Sequence, residues 1–255
     1  MMKQLIINAD DLGLSDGVSC GILKAIRSGA ATSASALVNL PTSDRGLRLI
    51  HEHTSALIGL QLNFILGAPV SNDPAIGSLL DENGGFLAAN ETNTHIDQHA
   101  LLIEGDAQIQ RFKEITGTVP QQLSMYGYAS QPFAQVLYQL AQQNQIHASY
   151  FFMGTSQSPA EWHTTSLPAP DTIVPLFQHG IHRSEFTKDH LNLNDLPENI
   201  IELHLHPGYV DQFLLDHSQL TLARCRDLAT LIDPHLQDWL HKHYQLVDYQ
   251  ILKTH

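Results

Sequence analysis

Residues Asn8-Ala-Asp-Asp-Leu-Gly13 follow directly on an apolar run, Leu5-Ile6-Ile7. That order predicts two adjacent carboxylates, Asp10 and Asp11, where a buried strand meets a loop, with Gly13 free to turn the chain sharply. A charged pair past the end of a core strand is costly to bury unless a cation, strong hydrogen bonds or a raised pKa on one member relieves it. In metal-assisted hydrolysis one carboxylate of such a pair binds the ion and its neighbour takes a proton from the attacking water. A structural role is equally open: Asp11 can cap the following helix and Asp10 can accept backbone hydrogen bonds.

The second stretch with chemical content is Glu202-Leu-His-Leu-His-Pro-Gly208. In a strand, positions two apart face the same side, so Glu202, His204 and His206 share a face. Pro207 ends strand pairing and Gly208 opens the loop, which places His206 at a strand end as a candidate general acid. The other closely spaced histidines, His51/His53, His179/His182 and His241/His243, fall on expected helix ends or loops and are read as solvated.

The elements that must position these residues alternate. Strands are predicted at Leu5–Asn8, Ser33–Asn39, Leu57–Phe64, Gln122–Tyr126, Ala148–Met153, Ile173–Phe177, Ile200–Leu205 and Gln245–Gln250. Helices are predicted at Ser15–Ser28, capped by Ser15 and stopped by Gly29, and at Ser43–His53, Thr94–Thr116, Phe133–Asn144, Leu220–Ile232 and Pro234–His243. This alternation means an α/β protein with a largely parallel sheet, and about seven core strands suit a distorted (β/α) TIM-like barrel. In such a barrel Asp10, Asp11, Gln61, Tyr126 and His206 all fall at C-terminal strand ends and converge on one mouth. The segment 65–94, rich in Gly, Asn, Pro and Ser, reads as a long surface excursion of the lid or binding-loop kind.

The 255 residues, 43% hydrophobic and 15% charged, suffice for one large core and predict a single domain over 1–255. A formal net charge of −13 argues against a nucleic-acid groove or an anionic membrane surface. Cys20 and Cys225 form neither a disulfide framework nor a CxxC knuckle. The N-terminus leads straight into the first strand, which predicts no signal peptide, and no apolar run approaches the ~20 residues of a membrane span. A cytoplasmic protein is expected, and a homodimer is left open.

With these residues in hand, the chain resembles the YdjC/ChbG-like carbohydrate deacetylase family. Asn8-Ala-Asp-Asp-Leu-Gly-Leu-Ser-Asp-Gly-Val18 is similar to its opening signature, and Thr32–Asn39 to its second-strand motif. Gly59-Leu-Gln-Leu-Asn63 sits where the family has Gly-x-His-Leu, and Pro120–Tyr128 where it has Pro-x-His-(apolar)-Asp-Ser-His. Glu202–Gly208 resembles its Glu-(apolar)-x-x-His-Pro-Gly element, and Arg224-Cys-Arg-Asp-Leu-Ala-Thr-Leu231 its late helix. The resemblance implies a distorted barrel that hydrolyses the N-acetyl group of acetylated amino sugars with one divalent cation, such as Mg²⁺ or Zn²⁺, held by one Asp and two His. Mapped onto this chain, Asp11 is the metal carboxylate, Asp10 the proton-accepting base and His206 the acid.

The chain departs from that pattern at the ligands. The two metal histidines correspond to Gln61 and Tyr126, and the earlier His and Asp of the fourth-strand motif to Gln122 and Ser124. No histidine lies between His99 and His147, so no realignment recovers the second ligand. A neutral amide and a phenol are poor substitutes for imidazole toward Zn²⁺, so tight transition-metal binding is not expected. Three functions compete: a metal-dependent deacetylase; a metal-free hydrolase with Asp10 as base, His206 as acid and Tyr126 or Gln61 stabilising the oxyanion; and a non-catalytic carbohydrate-binding or regulatory protein. For a small carbohydrate ligand, Tyr126, Tyr128 and Trp162 are stacking candidates.

Overall fold

The structure is a computed structural model that describes residues 2–87, 97–127, 131–149, 167–176, 180–196 and 199–253. In chain order its elements are β1 (Lys3–Leu12), α1 (Asp16–Arg27), β2 (Ser33–Ala36), α2 (Ser43–His53), β3 (Leu57–Leu62), α3 (Gln98–Thr116), β4 (Gln122–Met125) and α4 (Gln131–Asn144). There follow β5 (His147–Ala148), β6 (Thr172–Pro175), α5 (Arg183–Thr187), β7 (Ile200–Leu205), α6 (Gln212–His217), α7 (Leu222–Leu231), α8 (Pro234–His243) and β8 (Tyr244–Leu246). The strands pair in parallel in the order β5-β4-β3-β2-β1-β7-β6, with β8 on the first residues of β1. The sheet curls into a half-barrel with helices outside. Its path runs from β5 to β6, and these two ends do not pair among the described residues.

Alternation along each strand builds two layers. On β1, Leu5, Ile7 and Ala9 join the large apolar core under the helices, as do Ala34 and Ala36 of β2, Leu60 and Leu62 of β3, Leu123 of β4, and Ile201, Leu203 and Leu205 of β7. The intervening residues line the barrel axis, and most are polar: Asn8, Asp10, Ser33, Ser35, Gln61, Gln122, Ser124, Glu202 and His204 are all buried. Below them Ile6, Ile200, Tyr249 and Leu252 form a separate apolar cluster that plugs the N-terminal end. The β1–β7 register sets Ile6 opposite Glu202 and Asn8 opposite His204, so the acidic end of β1 and the histidines of β7 reach the same level.

The predicted helices Ser43–His53 and Pro234–His243 match α2 and α8, and Ser15 caps α1 through Val18 N–H at 3.2 Å. Several boundaries differ. β1 runs to Leu12, so the aspartate doublet lies inside the strand and not in a loop after it. The last strand is Tyr244–Leu246, and a 3-10 turn, Tyr249–Lys253, carries Tyr249 into the barrel floor instead of a strand to Gln250. The segment 65–94 is not a free excursion through residue 87. Glu104 of α3 is fully buried and accepts the backbone N–H groups of Val70 (3.0 Å) and Ser71 (2.9 Å). Ile76, Leu79 and Phe86 are buried behind it, so apolar burial and a carboxylate clamp hold the segment to the body. Residues 88–94 of that segment, the start predicted for the third helix and most of the predicted strand Ala148–Met153 lie outside the described residues. Sequence periodicity misses the short helices α5 and α6.

Candidate active site

Two adjacent strand residues face opposite sides. Asp10 and Asp11 nonetheless both reach the mouth, because the β1–β2 register shifts between Ala9 and Leu12 and Asp11 adopts a left-handed backbone, φ 72°. Asp is among the few non-glycine residues that tolerate this region. Gly13, also left-handed at φ +85°, then passes so close to α2 that a Cβ would sit 2.9 Å from the Ser43 Cα.

Asp10 is held at both oxygens. Asn8 Nδ2 donates to Oδ1 at 2.7 Å, and His204 Nδ1 lies 2.9 Å from Oδ2. Asn8 is itself fixed by Ser33 Oγ, which donates to its Oδ1 at 2.8 Å. The other ring nitrogen of His204, Nε2, lies 2.7 Å from Glu202 Oε1. Ser149 Oγ donates to the same Oε1 at 2.7 Å, and the hydroxyl of Tyr249 is a third donor to it. Burial alone would discharge His204, but the carboxylates of Asp10 and Glu202 outweigh it and raise its pKa to about 10. Burial likewise pushes Glu202 up, and the His204 charge overrides it and holds Glu202 below the usual carboxylate range.

Asp11 has a different partner. Arg224, on α7 and 2% exposed, places Nη2 2.5 Å from Asp11 Oδ2. Its Nε donates to Leu220 O at 3.0 Å, while among the described residues Nη1 is buried with no hydrogen-bond partner. Burial raises the Asp11 pKa, but the Arg224 charge, His206 and hydrogen bonds from Arg224 and Gln61 together hold it below its ordinary value. Gln61 also accepts the Asp11 backbone N–H through Oε1 at 3.1 Å.

His206 stands over both aspartates, with Nε2 4.0 Å from Oδ2 of each. Its backbone N–H donates to Asp227 Oδ2 at 3.0 Å, and Asp227 Oδ1 accepts Ile181 N–H at 2.7 Å, which ties the strand end to α7 and to the loop before α5. Burial lowers the His206 pKa, partly opposed by the two aspartates, so the ring rests neutral at pH 7. The His-Pro-Gly turn packs tightly on α1: a Cβ on Gly21 would sit 2.5 Å from the Gly208 Cα.

Tyr126 follows β4 and is half-buried. Burial, and secondarily the Asp11 charge, raises its pKa, so the phenol stays protonated. Its hydroxyl is within electrostatic reach of Asp11 and Arg224, without a hydrogen bond to either aspartate among the described residues. Of the predicted site residues, the structure thus gathers Asp10, Asp11, Gln61, Tyr126 and His206. Tyr128, Trp162 and His179 lie outside the described residues, and His51, His53, His182, His241 and His243 are exposed as expected. Sequence reasoning missed the roles of Arg224 and His204, although both stand in motifs it singled out; a charged residue on the late helix and a third inward position on β7 were the available signals.

The YdjC-like protein family matches residues 4–242, and the chain belongs to it. Among curated relatives, the chain is 28% identical over 256 residues to a carbohydrate deacetylase of Geobacillus stearothermophilus, covering 98% of each chain. It is 27% identical to one of Vibrio parahaemolyticus, covering 98% of this chain and 96% of the relative. The same fold occurs in a crystal structure from Enterococcus faecalis, named for a proposed cellobiose-phosphate cleavage role. That chain has a TM-score of 0.86 at 24% identity, with 99% of each chain covered. No helix among the described residues is long and apolar enough to cross a membrane.

Proposed function

We propose that this protein is a carbohydrate deacetylase that hydrolyses the N-acetyl group of amino sugars at the half-barrel mouth without a tightly held transition metal. The observation that carries this reading is the pairing of Asp11 with Arg224 at 2.5 Å, beside an Asp10 fixed at both oxygens. The donor set does not fit the family's cation. A guanidinium sits against the one carboxylate assigned to the ion, an amide and a neutral phenol stand at the two imidazole positions, and no group of three His, Cys, Asp or Glu among the described residues is placed to hold a metal. Asp11 then serves as the anchor of Arg224.

In this reading Asp10 accepts a proton from water as its oxygen bonds to the acetyl carbon. The developing oxyanion is met by the Tyr126 hydroxyl, with the Arg224 charge behind Asp11 adding to the field. The proton passes from Asp10 through one bridging water to the neutral His206, whose Nε2 lies 4.0 Å from Asp10 Oδ2, and His206 gives it to the nitrogen as the C–N bond breaks, leaving acetic acid and the free amine. Gln61 and Tyr126 line the sugar subsite, and Tyr128 is assigned to it from the sequence alone. Turnover of N-acetylated amino sugars should persist in EDTA and fall about 10²–10⁴-fold in Asp10→Asn, the range typical of general-base loss. Activity that appears only on adding Zn²⁺ or Mg²⁺ overturns the metal-free reading. Calorimetric sugar binding with no product, in the native chain, supports a non-catalytic carbohydrate-binding protein instead.

A further inference from the structure

We propose that His204 is a positioning residue: an imidazolium locked between Glu202 and Asp10 that aims the Asp10 carboxylate into the mouth. The inference rests on the hydrolytic reading of that mouth and adds a residue to it. A neutral imidazole donates from one nitrogen only. Here both ring nitrogens face carboxylate oxygens, at 2.9 Å and 2.7 Å, on a side chain 1% exposed, so a neutral ring would set a lone pair against a carboxylate.

The far end of the chain is built to hold the ring still. Glu202 Oε1 takes three donors, from His204, Ser149 and Tyr249, and Ser149 Oγ in turn lies 3.1 Å from His147 Nε2. The near end is equally fixed, since Asn8, itself held by Ser33, donates to the other Asp10 oxygen. The arrangement follows from strand register: Asn8 pairs with His204, so the ring lies one level below Asp10 and points up the axis. A buried carboxylate–imidazolium–carboxylate row contributes little net stability compared with apolar residues of the same volume. Its use is orientation, because a reacting group misplaced by 1 Å can cost about 10²-fold in rate.

Two variants of the full chain test this. His204→Gln keeps one donor near Asp10 but no charge. Glu202→Leu/His204→Leu removes both buried charges together and guards against a folding failure. With ¹⁵N-labelled histidine, both His204 ring nitrogens should appear protonated at pH 7.5, assigned by their loss in His204→Gln. Both variants should lose about 10²-fold in kcat with KM changed less than about threefold. A crystal structure of His204→Gln should show the Asp10 carboxylate rotated from its native plane. An unprotonated His204 nitrogen, native kcat in the folded double variant, or an unmoved Asp10 in the variant structure overturns the inference. If the native chain turns over no N-acetyl amino sugar, the hydrolytic reading fails by itself, and the ring-nitrogen state and the Asp10 plane still decide whether His204 positions it.

Discussion

The two sides of the mouth are built from different chemistry. On the β1–β7 side charged groups dominate: Asp10 against His204, Asp11 against Arg224 of α7, and His206 above both, with the neutral Asn8 beside Asp10. On the β3–β4 side the axis residues are neutral: Gln61, Gln122, Ser124 and a protonated Tyr126. Both sides keep buried polar atoms without hydrogen bonds among the described residues, Gln122 Oε1 and Ser124 Oγ on the neutral side and Glu202 Oε2 and Arg224 Nη1 on the charged side, so the sides differ in charge and not in hydrogen-bond saturation. The contrast teaches how a carboxylate doublet can be kept in a buried site. Each aspartate has its own protein cation, one from the neighbouring strand and one from the late helix, and β3 adds Gln61 as a hydrogen-bond partner of Asp11.

The largest effect should come from breaking the charged side. Arg224→Met leaves the buried Asp11 carboxylate unpaired and should cost about 3–5 kcal/mol in urea unfolding. Adding Asp11→Asn, which keeps a residue tolerant of φ 72°, should recover most of that loss. A cost below about 1 kcal/mol for Arg224→Met alone means that the pair is not the element holding Asp11.

Converting the neutral side should have the next largest effect. Gln61→His/Tyr126→His places imidazoles at both positions and should raise Zn²⁺ affinity about 100-fold or more over the native chain in calorimetric titration. Equal affinity in both proteins means that the two sides do not differ in the way proposed.

The smallest effect is a slope in stability with pH. His204 has a folded pKa raised to about 10 from 6.5, so its stabilisation is fully present below pH 6.5 and is lost as pH rises through about 10. His206, lowered from 6.5, acts in the opposite sense: the unfolded chain takes up its proton first, and stability falls as pH drops below 6.5. Denaturant midpoints should therefore decline between pH 7 and 10 by at most about 1.4 kcal/mol per pH unit from His204, and that component should vanish in Glu202→Leu/His204→Leu. An unchanged slope in the double variant places the titration elsewhere.

Much of this was legible in the residues. The strand–helix alternation gave the parallel sheet, Ser15 and Pro234 marked helix starts, and the Asn-Ala-Asp-Asp and His-Pro-Gly stretches located the mouth and the family. The polar interior shows only in the structure, where Ser33 and Ser35 of β2 are buried on the axis while Ala34 and Ala36 join the core. Local pattern did not reveal that β1 continues through the doublet, because a left-handed Asp11 and a register shift break the period that pattern reading relies on.

The sequence by itself determined which side chains exist at strand ends, because side-chain direction along a strand follows from a period of two. It also determined that no histidine lies between His99 and His147. Only the tertiary structure decided which cation meets which aspartate. His204 and Arg224 reach Asp10 and Asp11 across 194 and 213 residues of chain, and such contacts are set by strand register and helix packing, which no local periodicity encodes.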